Sequence, residues 1–208
     1  MLAWLSAETL RLIFAATPPY DGSLTGFYAL AADFAYKLPD SMSLKAGALI
    51  EPLSVAVHAV RRAIGMPASF GSAATLGNAT VCVFGAGPVG LLVASVCKAF
   101  SCSKIVMVDL SQDRIDFGKK YVGATAVLPA PPKDDEKGTI QASQKLADQI
   151  IKEGQLDDND ESQGADLVFE CTGAPPCIQA GAIACKSGGT YVQVGMGATE
   201  VVCESASD

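Results

Sequence analysis

The chain has no long apolar run, no pair of cysteines separated by two residues, no basic excess, and only one histidine. Each absence removes a class of function. No stretch approaches the ~18–20 consecutive apolar residues of a membrane-spanning helix. The apolar start Met1–Ala16 is interrupted by Glu8 and Arg11. It has no basic start before its apolar residues, so it does not read as a signal peptide. A cytoplasmic protein with no membrane partner is expected. Lys and Arg number 15 against 22 Asp and Glu, a net charge of −7. That balance argues against a nucleic-acid partner. The cysteines are Cys82, Cys97, Cys102, Cys171, Cys177, Cys185 and Cys203. With no zinc-clamp spacing among them, they are expected to be reduced, partly buried thiols. His58 is the sole histidine, and one imidazole does not make a zinc site. It is expected to be packed or hydrogen-bonded on a helix.

What is present is a core. Hydrophobic residues make up 50% of the 208-residue chain, enough for one domain and part of another without disulfide or metal staples. From about Asn78 short β-rich runs alternate with helical patterns. Strands are expected at Thr80–Phe84, Lys104–Asp109, Ala124–Leu128, Ala165–Glu170 and Gly189–Val194. Helices are expected at Val89–Phe100, Gln112–Tyr121 (after Ser111 as N-cap), Thr139–Glu153 and Pro175–Cys185. Loops are expected from Pro129 to Glu136 and from Gln155 to Gly164. This alternation means parallel βαβ units and an α/β, doubly wound sheet with about five of the six strands of a full dinucleotide fold. Upstream, Thr17–Gly22 is a turn cluster. Gly26–Leu38 reads as extended, and Ala46–Ile64 as a helix with Pro52 just inside its start. A Gly-, Ser- and Ala-rich linker runs from Gly65 to Gly77.

The chemistry lies at the strand ends. Gly85-Ala86-Gly87-Pro88-Val89-Gly90 sits between the first strand and its helix, the context a dinucleotide loop requires. Gly85 allows the turn, Gly87 admits the pyrophosphate, and Gly90 lets the helix pack close to the strand. The helix N-terminus offers N–H groups and positive dipole to phosphates. Asp109 follows the second strand, where a carboxylate accepts from the adenosine ribose hydroxyls and repels a 2′-phosphate. The expected cofactor is therefore NAD on a Rossmann fold. Arg114 can reach the same ribose and soften that repulsion. Glu170–Gly173, including Thr172, and Val194–Gly197 end two further strands on the same side of the sheet.

Several segments together resemble one family. They are Phe14–Leu24, Tyr36–Asp40, Gly47–Ala59, Val83–Leu92 and Glu170–Ala174. They are similar to zinc-dependent sorbitol and xylitol dehydrogenases, the polyol branch of the medium-chain dehydrogenase/reductase superfamily. The resemblance implies oxidation of a sugar-alcohol substrate to a ketose with hydride passing to NAD, in a homo-oligomer. It implies residues 1–45 as a remnant of the catalytic domain, 46–76 as connecting helix and linker, and 77–208 as the NAD-binding domain. It implies Glu51 beside the catalytic zinc, Val89, Asp109 and Arg114 at the cofactor, and Val194, Gly195 and Met196 near the nicotinamide. The family's zinc ligands lie upstream of the Thr17–Gly22 turn and have no counterparts in this chain, so no metal ligand is assigned. Zinc polarises the substrate hydroxyl in that chemistry, so this chain alone is expected to have little activity. The alternatives are a non-catalytic NAD-binding chain and a zinc-free reductase of the same superfamily. A methyltransferase is a weaker alternative, since its loop is usually Gly-x-Gly-x-Gly.

Overall fold

The computed structural model describes residues 20–65, 76–130, 138–156, 163–198 and 200–202. The segment Met1–Ala16, most of the Gly65–Gly77 linker, the middle of both expected loops, and Cys203 lie outside the described residues. The chain divides into two compact units, Met1–Glu51 and Pro52–Asp208.

In the first unit the expected extended segment Gly26–Leu38 forms no strand; its only regular element is one 3-10 turn at Ala32–Phe34. Phe27 and Leu30 within it are exposed, and among the described residues no segment pairs with it to supply a ladder. The single helix expected over Ala46–Ile64 is instead two. Helix α1 is Leu44–Gly47, and α2 is Ile50–Ala63. The Ser43 side chain caps α1, accepting from the Ala46 N–H at 3.2 Å. The break falls at Ala48, four residues before Pro52. Proline has no N–H for that carbonyl, and its ring crowds it.

The second unit is a five-stranded parallel sheet in the order β3-β2-β1-β4-β5. The strands are β1 (Thr80–Phe84), β2 (Lys104–Val108), β3 (Thr125–Val127), β4 (Ala165–Glu170) and β5 (Cys185–Gln193). The helices are α3 (Pro88–Ala99), α4 (Gln112–Val122), α5 (Ile140–Gly154) and α6 (Pro175–Ile183). Side-chain alternation along the strands builds two cores. Val81, Val83, Ile105, Met107, Leu167 and Phe169 pack with α2 and α3 on one face. Cys82, Phe84, Val106, Val108 and Val168 pack with α5 and α6 on the other. The sheet is thus doubly wound, as the alternating pattern predicts.

The boundaries differ where backbone geometry overrides pattern. β5 starts at Cys185 rather than Gly189, because its N-terminal residue pairs with Ala165 before an irregularity carries the register to Thr190 opposite Leu167. Ser111 begins α4 but its side chain makes no cap. Its own N–H instead donates to Asp109 Oδ1 at 2.9 Å.

Candidate dinucleotide-binding crevice

β1 is central, and the chain leaves it for β2 on one side and returns to β4 on the other. The connections above its carboxyl end therefore diverge and open a crevice, the place where ligands bind in open α/β sheets. Gly85 turns off β1 with φ +95°, and its N–H donates to the Val108 carbonyl at 2.7 Å. A Cβ on Gly90 would lie 1.8 Å from the Gly85 carbonyl oxygen, so the first turn of α3 rests directly on the loop. A Cβ on Gly87 would meet nothing within 4 Å. That open space lies at the start of α3, whose N-cap has no side-chain hydrogen bond. Val89 is half-buried in the first turn.

Asp109 faces this loop. Its Oδ2 accepts from the Ala86 N–H at 2.8 Å, while Oδ1 takes the Ser111 N–H. Each oxygen keeps a further lone pair for another donor. Arg114 Nη1 stands 3.7 Å from Oδ2, with the arginine side chain 61% exposed and the aspartate 10% exposed. The pair is screened by solvent on the arginine side. Beside them is a cavity of about 890 Å³ whose lining includes Leu110, Arg114, Lys145, Thr172 and Cys177. Its volume is in the range of ~300–1,000 Å³ usual for small-molecule sites.

The carboxyl ends of β4 and β5 form the other half. The Thr172 methyl group lies 3.0 Å from where a Gly85 Cβ would be, so Thr172 covers the glycine loop. The N–H groups of Val194 and Gly195 both donate to the Glu170 carbonyl at 2.8 Å. Met196 is exposed. The fold thus gathers Gly85, Gly87, Val89, Gly90, Asp109, Arg114, Thr172, Val194, Gly195 and Met196 at one edge of the sheet. Glu51 sits exposed in the first turn of α2, at the end of the first unit. His58, expected to be packed or hydrogen-bonded, is exposed on α2.

Sequence reasoning missed the Glu170 side chain. It is fully buried, and the signal was there: an acidic residue directly after the apolar run Leu167–Phe169. Next to it, burial and then the charge of Glu170 push the Cys171 thiol up to about 12. Burial likewise raises the thiols of Cys82, Cys97, Cys102, Cys177 and Cys185. Among the described residues no group of three or more His, Cys, Asp or Glu is placed to hold a metal ion. No described helix is long and apolar enough to cross a membrane.

Comparison with known proteins names this arrangement. A family model described as zinc-binding dehydrogenase matches residues 88–207. The chain belongs to the zinc-binding dehydrogenase family. D-xylulose reductase A of Aspergillus niger is 43% identical over 192 residues, which is 92% of this chain and 47% of that protein. The chain therefore spans about half the length of the curated relatives it matches. Among solved structures of the family's fold, L-idonate 5-dehydrogenase of Escherichia coli aligns with a TM-score of 0.64 at 26% identity, covering 91% of this chain and 46% of that one. The 2R,3R-butanediol dehydrogenase of Bacillus subtilis aligns at 0.58 with 28% identity, covering 81% and 40%. Zinc-dependent medium-chain dehydrogenases are thus this chain's relatives, as its motifs imply.

Proposed function

We propose that this chain binds NAD(H) in the crevice above β1, β2, β4 and β5, as the nucleotide-binding part of an NAD-dependent polyol dehydrogenase. The observation that carries the reading is the cradle formed by Gly85, Gly87 and Asp109. Open space beside Gly87 suits a pyrophosphate approaching the backbone N–H groups at the start of α3. The remaining lone pairs of Asp109 suit the two ribose hydroxyls, and its charge opposes a 2′-phosphate. Arg114 tempers that opposition from solvent. Thr172, Val194, Gly195 and Met196 hold the nicotinamide half against backbone and exclude water from one side of it.

Bound nicotinamide supplies the hydride acceptor. The chain's own residues bind and orient it. The zinc of the family's description has no three-ligand site among the described residues, and no step is assigned through it. Glu51 belongs to the same proposal as an acidic residue on the substrate side, by likeness to the polyol dehydrogenases. The substrate pair is a sugar alcohol and its ketose, by likeness to the fungal D-xylulose reductases. The assembled enzyme is a cytoplasmic homo-oligomer.

Fluorescence titration with NADH and with NADPH tests the cofactor. Saturable NADH binding, at least tenfold tighter than NADPH, is expected. No binding, or tighter NADPH binding, overturns the reading. A second reading, NAD binding without turnover by this chain, is favoured by the absence of a three-ligand metal group among the described residues. Xylitol- or sorbitol-dependent NADH formation by the purified chain with added zinc would exclude it.

A further inference from the structure

Glu170 ends β4 with its side chain fully buried. Four donors converge on its two carboxylate oxygens. Oε1 accepts from the Thr172 N–H at 2.8 Å and from the Thr172 hydroxyl. Oε2 accepts from the Gly173 N–H at 2.8 Å and from Gln193 Nε2 at 2.7 Å. The Thr172 hydroxyl in turn accepts from the Ala174 N–H at 3.0 Å, so its own proton points to the carboxylate. All four contacts are donors, and together they fill the acceptor sites of an ionised carboxylate. None of them carries a positive charge. A buried anion satisfied only by neutral donors keeps its field, because no ion pair cancels it and water does not screen it.

The same side chain joins the two loops of the nicotinamide half. Thr172 and Gly173 belong to the β4 loop. Gln193 ends β5, and its Nε2 also donates to the Gly195 carbonyl at 2.8 Å. A Cβ on Gly195 would lie 2.3 Å from the Gly173 nitrogen and 2.9 Å from Glu170 Oε2, so the loops meet backbone to backbone over the carboxylate. One buried negative charge therefore lies directly beneath Gly195, with Thr172 and Val194 beside it.

We propose that Glu170 is a positioning residue that fixes the β4 and β5 loops and, through its uncompensated charge, biases the crevice toward the oxidised, cationic nicotinamide. This rests on the dinucleotide reading above. The nicotinamide ring is positive in NAD+ and neutral in NADH, so a nearby fixed anion favours the first. At an effective dielectric near ~20, opposite unit charges about 10 Å apart change an affinity roughly tenfold. A purely structural role has a different signature, since a loosened loop weakens both redox forms alike.

The experiment is calorimetric titration of the whole chain with NAD+ and with NADH, for wild type, E170Q and E170D. E170Q is expected to weaken NAD+ relative to NADH by roughly tenfold. An unchanged ratio of the two dissociation constants in folded E170Q overturns the proposal. E170D is the control, because it keeps the charge while shortening the reach: it is expected to preserve the ratio, and a ratio shifted toward NADH in folded E170D overturns the proposal. If E170Q loses its far-UV spectrum, Q193K decides, because it sets a positive charge against the same carboxylate with Glu170 in place. It is expected to weaken NAD+ relative to NADH, and an unchanged ratio in folded Q193K overturns the proposal. Wild type that binds neither form refutes the dinucleotide reading itself, and this inference with it.

Discussion

The Asp109 carboxylate accepts the Ala86 N–H at 2.8 Å, tying the end of β2 to the glycine loop that follows β1. The residue proposed to read the ribose therefore also shapes the loop proposed to hold the phosphates. D109N keeps the size and one acceptor but removes the charge. NADH affinity is expected to fall roughly tenfold, and the NADH-over-NADPH preference to shrink by a similar factor. Parallel titrations with the two nucleotides check this. An unchanged preference would remove Asp109 from cofactor selection.

Gly90 supports the same loop by having no side chain. In G90A the new methyl would enter the space of the Gly85 carbonyl, 1.8 Å away. Backbone must move, since neither group is a flexible side chain. A loss of about 3 kcal/mol in stability is expected, with NADH binding abolished. Urea unfolding and NADH titration measure the two effects. A G90A protein of wild-type stability would refute the close packing.

At the opposite end of the sheet, Asp166 on β4 accepts from Thr80 through its N–H at 2.7 Å and its hydroxyl at 2.8 Å, and pairs with Lys186. Burial raises the Asp166 pKa, but the Lys186 pair and the Thr80 donors outweigh it, and the net shift is downward. A depressed folded pKa means the contribution is fully present above the ordinary carboxylate value near ~3.9 and is lost as pH falls through the folded value. D166N is expected to cost about 1–3 kcal/mol near neutral pH. In urea titrations the difference between D166N and wild type should narrow as the buffer is taken below the ordinary carboxylate range. A difference independent of pH would contradict the ionised clamp.

The thiols should divide by burial. Cys82 and Cys97 are fully buried with raised pKa values, whereas Cys102 and Cys185 are half-exposed. Only the thiolate reacts with a disulfide reagent. At mildly alkaline pH, Cys102 and Cys185 are expected to react first, and Cys82 and Cys97 only as fast as the protein opens. Peptide mapping of the labelled chain resolves the order. Early labelling of Cys97 would place it nearer the surface than the fold does.

The sheet was legible because β1, β2 and β4 are short, mostly apolar runs cut off by glycines or acids, and the loop from Gly85 to Gly90 sits where a strand becomes a helix. The split between α1 and α2 was written in Pro52, but the apolar periodicity of Ala46–Ile64 hid it. Asp109 was legible as a position and not as a clamp. Whether its oxygen reaches Ala86 depends on the positive φ of Gly85, which aims that N–H. Glu170 was legible only as a strand end. Its partner Gln193 is 23 residues away, and no local pattern joins a strand's last residue to the next strand's amide. Gly26–Leu38 misled because β-rich composition makes a strand only when a neighbour supplies the ladder.

Thr80 and Asp166 are 86 residues apart in sequence and share three hydrogen bonds. The pairing of β1 with β4 is thus a long-range loop closure, and such closures come late and set the pace of folding. The crevice lies above that pairing, so it does not exist until the closure is made. A nucleotide has nothing to hold in the half-formed chain and cannot hasten its folding. It acts afterwards, as a latch that leaves the refolding rate alone and slows escape from the finished sheet.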